Sequence, residues 1–294
     1  MSLLHNGRTI ENASHHFVEV NGTSLHYVAA GESGPPILLV HGFPESWWAF
    51  HRLIPLLARD HRVFAVDLRG FGDSAIAEEN FSSAVAAEDL HELIRHLDVG
   101  PLAVAGQDIA GGTMYRLAIR YPQDVSAFIA SEMGLAGFGL ENFADVTRGG
   151  SWHIGALAAP GIASLLFAGR ERELLAQWAF PSMIAIPGAI GAADIDEFAR
   201  GYARTGGWNG AAGIYRSILS EGDELRNLAA GTKLVVPALA IGGSGGAFTA
   251  TTVRSVVAGD ITSTILDGVG HHIALEAPDR MAEAIAAFLA DSPR

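Results

Sequence analysis

Asp108 is the residue whose position in this sequence most directly suggests chemistry. It follows a short apolar run at residues 102–105 and is flanked at two-residue spacing by Gly106 and Ala110. Small residues at that spacing let a strand turn sharply into a helix and present the residue between them. Serine is usual at such a turn. An aspartate there could be a carboxylate nucleophile, or it could cap the helix that follows.

A second group of candidate residues lies in the stretch HGFPESWW at residues 41–48. The apolar strand PPILLV precedes it, so its backbone N–H groups are expected at the carboxyl edge of the sheet, where Asp108 also projects. The N–H groups of Phe43 and Ile109 could therefore form an oxyanion hole. Alternatively, the aromatic residues pack in the core and Pro44 only shapes a turn.

A histidine is available in the stretch GVGHHIALEAP at residues 268–278, after the last predicted strand. In a fold with this nucleophile turn, the catalytic histidine comes last in chain order. His271 and His272 are adjacent, so only one of them can face Asp108. We predict His271, because it directly follows the flexible Gly270.

The acid that would orient this histidine is less obvious from the sequence. The loop after the strand PALAIGG is its usual place, but residues 244–247 are Ser, Gly, Gly and Ala. Glu132 ends the strand that follows the nucleophile helix, and it is the other carboxylate expected at the same edge of the sheet. We therefore predict Glu132 as the acid. Asp267 is the alternative acid. Glu132 could also be a solvated glutamate at a strand end with no catalytic role.

The elements that must position these groups follow an alternating pattern. Near-continuous apolar strands alternate with amphipathic helices, which indicates a mostly parallel sheet covered by helices on both faces, a doubly wound α/β fold. An Asn21-Gly22 turn predicts an initial hairpin. Gly, Ala and aromatic residues dominate from about residue 134. We predict a core of residues 1–133 and 229–294 and an inserted helical lid at residues 134–228.

Composition limits the classes of function. The 294 residues are 49% hydrophobic, which suits one large α/β domain with an insertion. The formal net charge of −13 disfavours nucleic acid and anionic membranes as partners. The absence of cysteine excludes disulfides, thiolate metal sites and cysteine catalysis. No signal peptide or membrane-spanning run is recognisable, so a cytoplasmic protein is expected. We predict no metal and no cofactor.

Several motifs, taken together, resemble one family over nearly the whole chain. They are HGFPESWW at 41–48, DLRGFGDS at 67–74, the turn GQDIAG at 106–111, and Gly270-His271 followed by Glu276-x-Pro278. The combination resembles the α/β-hydrolases of the epoxide hydrolase group. The resemblance implies the α/β-hydrolase fold and an epoxide hydrolase activity.

The resemblance also implies roles for two lid residues that donate hydrogen bonds to the epoxide oxygen. Tyr215, in WNGAAGIYRS, matches a Tyr-Arg lid motif of the family, and His153, in SWHIG, takes the place of a first tyrosine. A His/Tyr pair with Glu132 in the charge relay is most similar to the Cif-type branch. The structural alternatives are a buried lid tyrosine and a surface histidine. A further set of side chains is predicted to line the substrate pocket: His41, Pro44, Trp47 and Trp152.

The implied reaction has two steps. Asp108 attacks an epoxide carbon to form an ester while Tyr215 and His153 stabilise the alkoxide, and water activated by His271 then attacks the ester carbonyl. A carboxylate suits a saturated carbon, because a serine would leave a stable ether. The expected partners are a small apolar epoxide and water, and a homodimer is one option for the assembly.

Two other functions remain open at this stage. A dehalogenase would use the same aspartate, but haloalkane dehalogenases typically carry tryptophan after the nucleophile and fluoroacetate dehalogenases carry arginines one and four places after it. Ile109 and Gly112 occupy those positions. The other function is a non-catalytic α/β-hydrolase scaffold that binds a ligand, and the missing acid at residues 244–247 favours it.

Overall fold

A mixed sheet forms the centre of the molecule. The computed structural model describes residues 7–77 and 79–291. The strands are β1 (Ala13–Val20), β2 (Thr23–Ala30), β3 (Pro36–Val40), β4 (Arg62–Val66), β5 (Leu102–Gln107), β6 (Val125–Ser131), β7 (Ala238–Gly242) and β8 (Thr262–Ile265). Their order is β1-β2-β4-β3-β5-β6-β7-β8. β2 is antiparallel to both of its neighbours, and the strands from β4 to β8 pair in parallel. The predicted mostly parallel sheet is confirmed.

The local sequence accounts for two features of this sheet, the first hairpin and the buried central strands. Asn21 and Gly22 both have positive φ, 43° and 70°, which is the backbone that a tight hairpin turn between β1 and β2 requires. The central strands β3 and β5 are buried along almost their whole length, as expected of strands covered on both faces.

Helices connect the parallel strands and make up the segment between β6 and β7. They are α1 (Ile54–Leu57), α2 (Ser83–Leu97), α3 (Gly111–Arg120), α4 (Trp152–Ala158), α5 (Ile162–Phe167), α6 (Glu171–Leu174), α7 (Ala192–Tyr202), α8 (Asn209–Ser220), α9 (Gly222–Gly231), α10 (Gly246–Val256), α11 (Ile273–Glu276) and α12 (Pro278–Asp291). The Ser82 side chain caps α2 by accepting from Val85 N–H, and α2 packs against α3. Within the described ranges, no helix is long and apolar enough to cross a membrane.

Residues 134–237, between β6 and β7, form a helical insertion that contains α4 to α9. No strand is assigned to the insertion, all of which lies in the described part of the chain. α8 lies at its centre and contacts α4 and α5 as well as α2 of the core. The predicted end of the lid at residue 228 falls inside α9, so the exact lid boundaries stay a prediction.

The sheet brings the carboxyl ends of β3, β5, β6 and β7 to one edge. Parallel neighbours in register place the residues that follow these strands side by side. The loop after β8 returns to the same edge, and the insertion covers it. The candidate chemistry is therefore expected between this edge and the insertion.

Candidate active site

Asp108 stands at a strained turn at the end of β5. Its φ is +53°, a left-handed conformation that non-glycine residues rarely adopt. A Cβ at Gly106 would lie 2.0 Å from the Met114 sulfur, and one at Gly42 would lie 2.6 Å from Asp108 Cβ. The glycines therefore make room for the turn. Among the described residues, the Asp108 carboxylate makes no hydrogen bond to the first turn of α3, so nothing supports a capping role.

The loop after β3 supplies one donor to that carboxylate. Phe43 N–H donates to Asp108 Oδ2 over 3.0 Å, while Oδ1 lies on the side of His271. The second predicted donor, Ile109 N–H, makes no hydrogen bond to the carboxylate in the part of the chain that the structure describes. Ile109 does line the same cavity as Asp108.

The structure brings His271 next to the carboxylate and turns His272 away from it. His271 Nε2 lies 3.8 Å from Asp108 Oδ1, and its Nδ1 lies 3.4 Å from Glu132 Oε2. His272 is fully buried instead and pairs through Nδ1 with Glu45 Oε1 at 2.8 Å. The geometry therefore favours His271 over its neighbour.

Glu132 follows β6 with a φ of +44° and lies across the loop after β7. Its Oε1 accepts from the N–H groups of Gly243 and Gly245 at 2.7 and 2.9 Å, and Oε2 faces His271. The glycine loop thus binds a carboxylate from the neighbouring strand where it would otherwise carry its own. Asp267 is exposed, and its backbone oxygen accepts from Arg280. Of these two acids, only Glu132 reaches the site.

The charges of these groups are coupled. Burial lowers the pKa of His271, but the carboxylates of Asp108 and Glu132 outweigh it and raise that pKa to about 10. Burial raises the pKa of Asp108, but His271 and the Phe43 N–H outweigh it, so the pKa lies below its ordinary value. Near neutral pH the pair is an aspartate and an imidazolium.

Two residues of the insertion form a hydrogen-bonded pair above this site. His153 of α4 and Tyr215 of α8 are both buried, and His153 Nε2 lies 3.0 Å from the Tyr215 hydroxyl. His153 Nδ1 lies 2.6 Å from Ser151 Oγ. Phe43 stacks on His153 and contacts the edge of Tyr215.

The protonation of this pair follows from its surroundings. Burial lowers the pKa of His153 to about 4, against the opposing charge of Asp108. Burial and the Asp108 charge raise the pKa of Tyr215 well above its ordinary value. Near neutral pH the pair is a neutral imidazole and a phenol, which can donate hydrogen bonds without carrying charge.

One cavity of about 290 Å³ connects the two groups. Asp108, Glu132 and His271 line its floor, and His153 and Tyr215 line it from the insertion. The rest of the wall is largely apolar: Leu140, Phe143, Ile154, Met183, Ile218 and Phe248. None of the described residues lining this cavity is Lys or Arg. The cavity suits an uncharged, apolar molecule.

The four residues predicted to line the pocket lie outside this cavity. His41 is buried and uses both ring nitrogens on backbone groups, Gly42 O and Leu68 N. Pro44 is buried after a cis peptide bond. Trp47 is in the core, in contact with the ring of Trp48, and Trp152 borders a separate surface cleft. These pocket predictions are corrected. His41, Pro44 and Trp47 follow β3 but are buried in the core, whereas Trp152 begins α4 with an exposed side chain.

Two buried polar residues near the site were missed. Gln107 Nε2 donates to Glu45 Oε1 and to the backbone oxygen of His271, which joins the loop after β3, the nucleophile turn and the histidine loop. Glu45 also accepts from Gly42 N–H. The available signal was a further polar side chain within each motif, Glu45 in HGFPESWW and Gln107 in VAGQDIAGG.

Two clusters of potential metal ligands occur in the described residues: His26 with Asp67 and Asp73, and Glu88 with His91 and Glu92. Neither includes a residue of the cavity. His26 Nδ1 and Asp67 Oδ2 already share a hydrogen bond of 2.8 Å. The chemistry of the cavity is carried by carboxylate, imidazole and phenol groups.

Comparison with known proteins agrees with the fold. The family model of the alpha/beta hydrolase fold matches residues 35–149. A soluble epoxide hydrolase from Corynebacterium sp. (strain C12) is 41% identical over 105 residues, which are 36% of this chain and 36% of that protein. A fluoroacetate dehalogenase from Burkholderia sp. is 36% identical over 120 residues, 39% of each chain. These alignments span well under half the length of the relatives.

Solved structures match over nearly the whole chain. Epoxide hydrolase CorEH is 27% identical with a TM-score of 0.84, covering 95% of this chain and 99% of that one. The Cif epoxide hydrolase from Acinetobacter nosocomialis is 24% identical with a TM-score of 0.87, covering 96% and 90%, which shows likeness of fold. The fold predicted from the motifs and the resemblance on which it rested are confirmed.

Proposed function

Because the chain belongs to the α/β-hydrolases and resembles their epoxide hydrolase group, we propose that it hydrolyses an epoxide to a vicinal diol. One observation carries the proposal. An ionised aspartate on the floor of an apolar cavity faces a neutral His153–Tyr215 pair in its wall. A nucleophile for saturated carbon opposite two uncharged hydrogen-bonding groups suits an electrophile whose leaving group is an oxygen still attached to the molecule.

In the first step, Asp108 Oδ1 attacks an epoxide carbon and the bond from that carbon to the ring oxygen breaks. Tyr215 donates its proton to the released alkoxide, and His153 donates a hydrogen bond through Nε2. Phe43 N–H holds Oδ2, so Oδ1 is the oxygen free to attack. The products of the step are an ester of Asp108 and a tyrosinate, which recovers its proton from solvent.

Ester formation prepares the base for the second step. It removes the negative charge of Asp108, one of the two carboxylates that raise the pKa of His271. His271 then releases a proton and becomes a neutral base, with Glu132 facing its Nδ1. Water gives one proton to Nε2 and adds through its oxygen to the carbonyl carbon of the ester. The bond from that carbon to the diol oxygen breaks, and the diol oxygen takes the proton from His271. The Asp108 carboxyl group then gives its remaining proton to His271, which restores the aspartate and the imidazolium.

The cavity suggests the class of substrate. Its apolar wall favours an epoxide with an aryl or alkyl substituent, and its size favours a small one. An anionic substrate would meet Asp108 and Glu132, and among the described lining residues the cationic side chain is His271, which already pairs with both. We expect styrene oxide or a short alkyl epoxide to be hydrolysed.

The test follows the oxygen atoms. In a single turnover in water labelled with oxygen-18, we expect label in the peptide that contains Asp108 and an unlabelled diol. Asp108→Asn is expected to abolish diol formation, and His271→Ala is expected to accumulate an adduct of the substrate mass. Glu92→Gln on the outer face of α2 is a matched control with unchanged turnover. Label in the diol of the first turnover would contradict the ester mechanism.

A dehalogenase is the second candidate, because the Burkholderia relative is a fluoroacetate dehalogenase. The cavity argues against fluoroacetate, since Ile109 and other apolar side chains line it and no arginine does, within the described residues. Turnover of fluoroacetate at a rate comparable with epoxides would favour this candidate. A non-catalytic scaffold would show neither turnover nor a covalent adduct in His271→Ala.

A further inference from the structure

The carboxylate of Glu276, at the end of α11, lies outside the cavity but holds four backbone groups. Oε2 accepts from the N–H groups of Ala185, Ile186 and Gly270 at 2.7, 2.9 and 3.1 Å. Oε1 accepts from His272 N–H at 3.2 Å. The side chain is buried, and hydrogen bonds to an ionised acceptor are strong when water is excluded.

These four donors belong to two segments that lie far apart in the sequence. Ala185 and Ile186 belong to the insertion, while Gly270 and His272 flank His271. The segments also touch directly, because His271 N–H donates to Met183 O at 2.8 Å. A Cβ at Gly270 would lie 2.5 Å from both Ala185 N and Met183 O, so the contact has no spare room.

The side-chain contacts of His271 are too long to fix its ring by themselves. The distance from Nδ1 to Glu132 is 3.4 Å, and the distance from Nε2 to Asp108 is 3.8 Å. The position of the imidazole therefore depends on the backbone of its loop. That backbone is held on both sides of His271 by the Glu276 carboxylate.

We propose that Glu276 is a positioning residue for ester hydrolysis, which sets the place of His271 by binding the insertion segment 183–186 to the histidine loop. The inference rests on the proposed function, because it assigns Glu276 to the second step of that reaction. Closure of the insertion over the cavity and alignment of the base are then one structural event, since Met183 of the same segment lines the cavity.

The groups of the first step do not depend on this carboxylate. Asp108 is held by the turn after β5 and by Phe43 N–H, and His153 and Tyr215 stand on α4 and α8. None of these residues is a hydrogen-bond partner of Glu276 in the described chain. Loss of the Glu276 charge should therefore separate the two steps.

The experiment measures the two steps separately in Glu276→Gln, by rapid quench and intact mass with styrene oxide. The amide keeps the shape but turns an NH₂ toward backbone donors. We expect hydrolysis of the ester to slow by about 10- to 100-fold, the size of effect that a misplaced catalytic group produces, with the rate of ester formation within about 2-fold. The ester should then accumulate during turnover. Glu276→Asp should restore part of the hydrolysis rate.

Asp89→Asn is the matched control. Asp89 is also a buried carboxylate with several donors, from Arg69 and Asn21, but it lies on α2 away from the cavity. We expect a lower melting temperature and no accumulation of ester. If Glu276→Gln does not fold, Glu276→Asp is measured for the same split between the steps.

The outcomes separate this inference from the proposed function. An adduct in His271→Ala, together with equal slowing of both steps or unchanged hydrolysis in the Glu276 variant, overturns the positioning role alone. Absence of an adduct in His271→Ala overturns the proposed function and the inference with it. Selective accumulation of ester in Glu276→Gln supports both.

Discussion

His271 can serve as a base only after its surroundings change. The carboxylates of Asp108 and Glu132 raise its pKa to about 10 against the effect of burial, so it is protonated in the free protein near neutral pH. The same interaction favours the ionised form of Asp108, whose pKa is lowered. The site therefore keeps its nucleophile charged and its base inactive until the nucleophile has reacted.

This coupling predicts different pH dependences for the two steps. Ester formation needs ionised Asp108 and protonated Tyr215, so its rate should be flat from about pH 6 to pH 9. Ester hydrolysis needs neutral His271, whose pKa falls once the Asp108 charge is gone. Its rate should rise with pH, about tenfold per unit, until that lower pKa is passed. Single-turnover measurements over this range test both.

NMR titration of the imidazoles provides the check at equilibrium. The His271 signal of the free protein should titrate near 10 and that of Asp108→Asn at lower pH, since one of the two charges is removed. Glu92→Gln should leave the titration unchanged. Parallel pH profiles for the two steps, or an unshifted His271 in Asp108→Asn, would contradict the coupling.

At the scale of elements, the loop between β7 and α10 forms a binding site for the carboxylate of Glu132, which follows β6. Its glycines offer N–H groups to Glu132, and a Cβ at Gly245 would lie 2.6 Å from Glu132 Oε2. The φ of Gly245 is −97°, which any residue adopts, so space alone requires glycine there.

Gly245→Ala should therefore act through Glu132. The added methyl would push the carboxylate away from His271, and we expect ester hydrolysis to fall by about tenfold, with smaller effects on ester formation. Gly155→Ala in α4 is the control, because a Cβ there meets nothing within 4 Å and alanine favours a helix. Rates of the two steps and melting temperatures measure the effect. Unchanged ester hydrolysis in Gly245→Ala would contradict the role of this loop in positioning Glu132.

The same elements explain which parts of the site the sequence could predict. The carboxyl ends of parallel strands lie at one edge of the sheet. The proximity of residues that directly follow strands, such as Asp108 and Glu132, could therefore be predicted from the alternating pattern alone. The contact between Glu45 and His272 joins positions 227 residues apart, and no local pattern encodes it. The pocket walls come from the insertion, whose packing depends on tertiary contacts. The prediction for Trp152 therefore failed, although its neighbour His153 lines the cavity.

For the molecule as a whole, the net negative charge and the lining of the cavity both disfavour anionic substrates. The net charge of −13 repels anions at long range. Among the described residues that line the cavity, none is Lys or Arg, and the cationic His271 already pairs with Asp108 and Glu132. Neutral substrates are unaffected by that field. We therefore expect the rate of epoxide hydrolysis to depend little on ionic strength.

Two of the buried links between the insertion and the core are made by the Glu276 carboxylate and the Arg116 guanidinium. Arg116 of α3 is fully buried and donates to Ser83, Glu221 and Glu224, which joins the nucleophile helix to the ends of α8 and α9. Arg116→Met should remove this link and leave Glu221 poorly paired. We expect a loss of about 3 kcal/mol in the free energy of unfolding, as for other broken buried pairs.

The structural position of Arg116 makes its effect different from that of Glu276. α8 carries Tyr215, so a loosened α8 should slow ester formation, the step that uses this tyrosine, and speed amide hydrogen exchange in residues 209–231. Arg170→Met is the control, because the exposed Arg170–Glu173 pair lies within the insertion and should not change the melting temperature. Slower ester hydrolysis with normal ester formation in Arg116→Met would contradict this division. The Glu276 and Arg116 links would then hold the insertion as a single unit. Breaking one link or the other would not distinguish ester formation from ester hydrolysis.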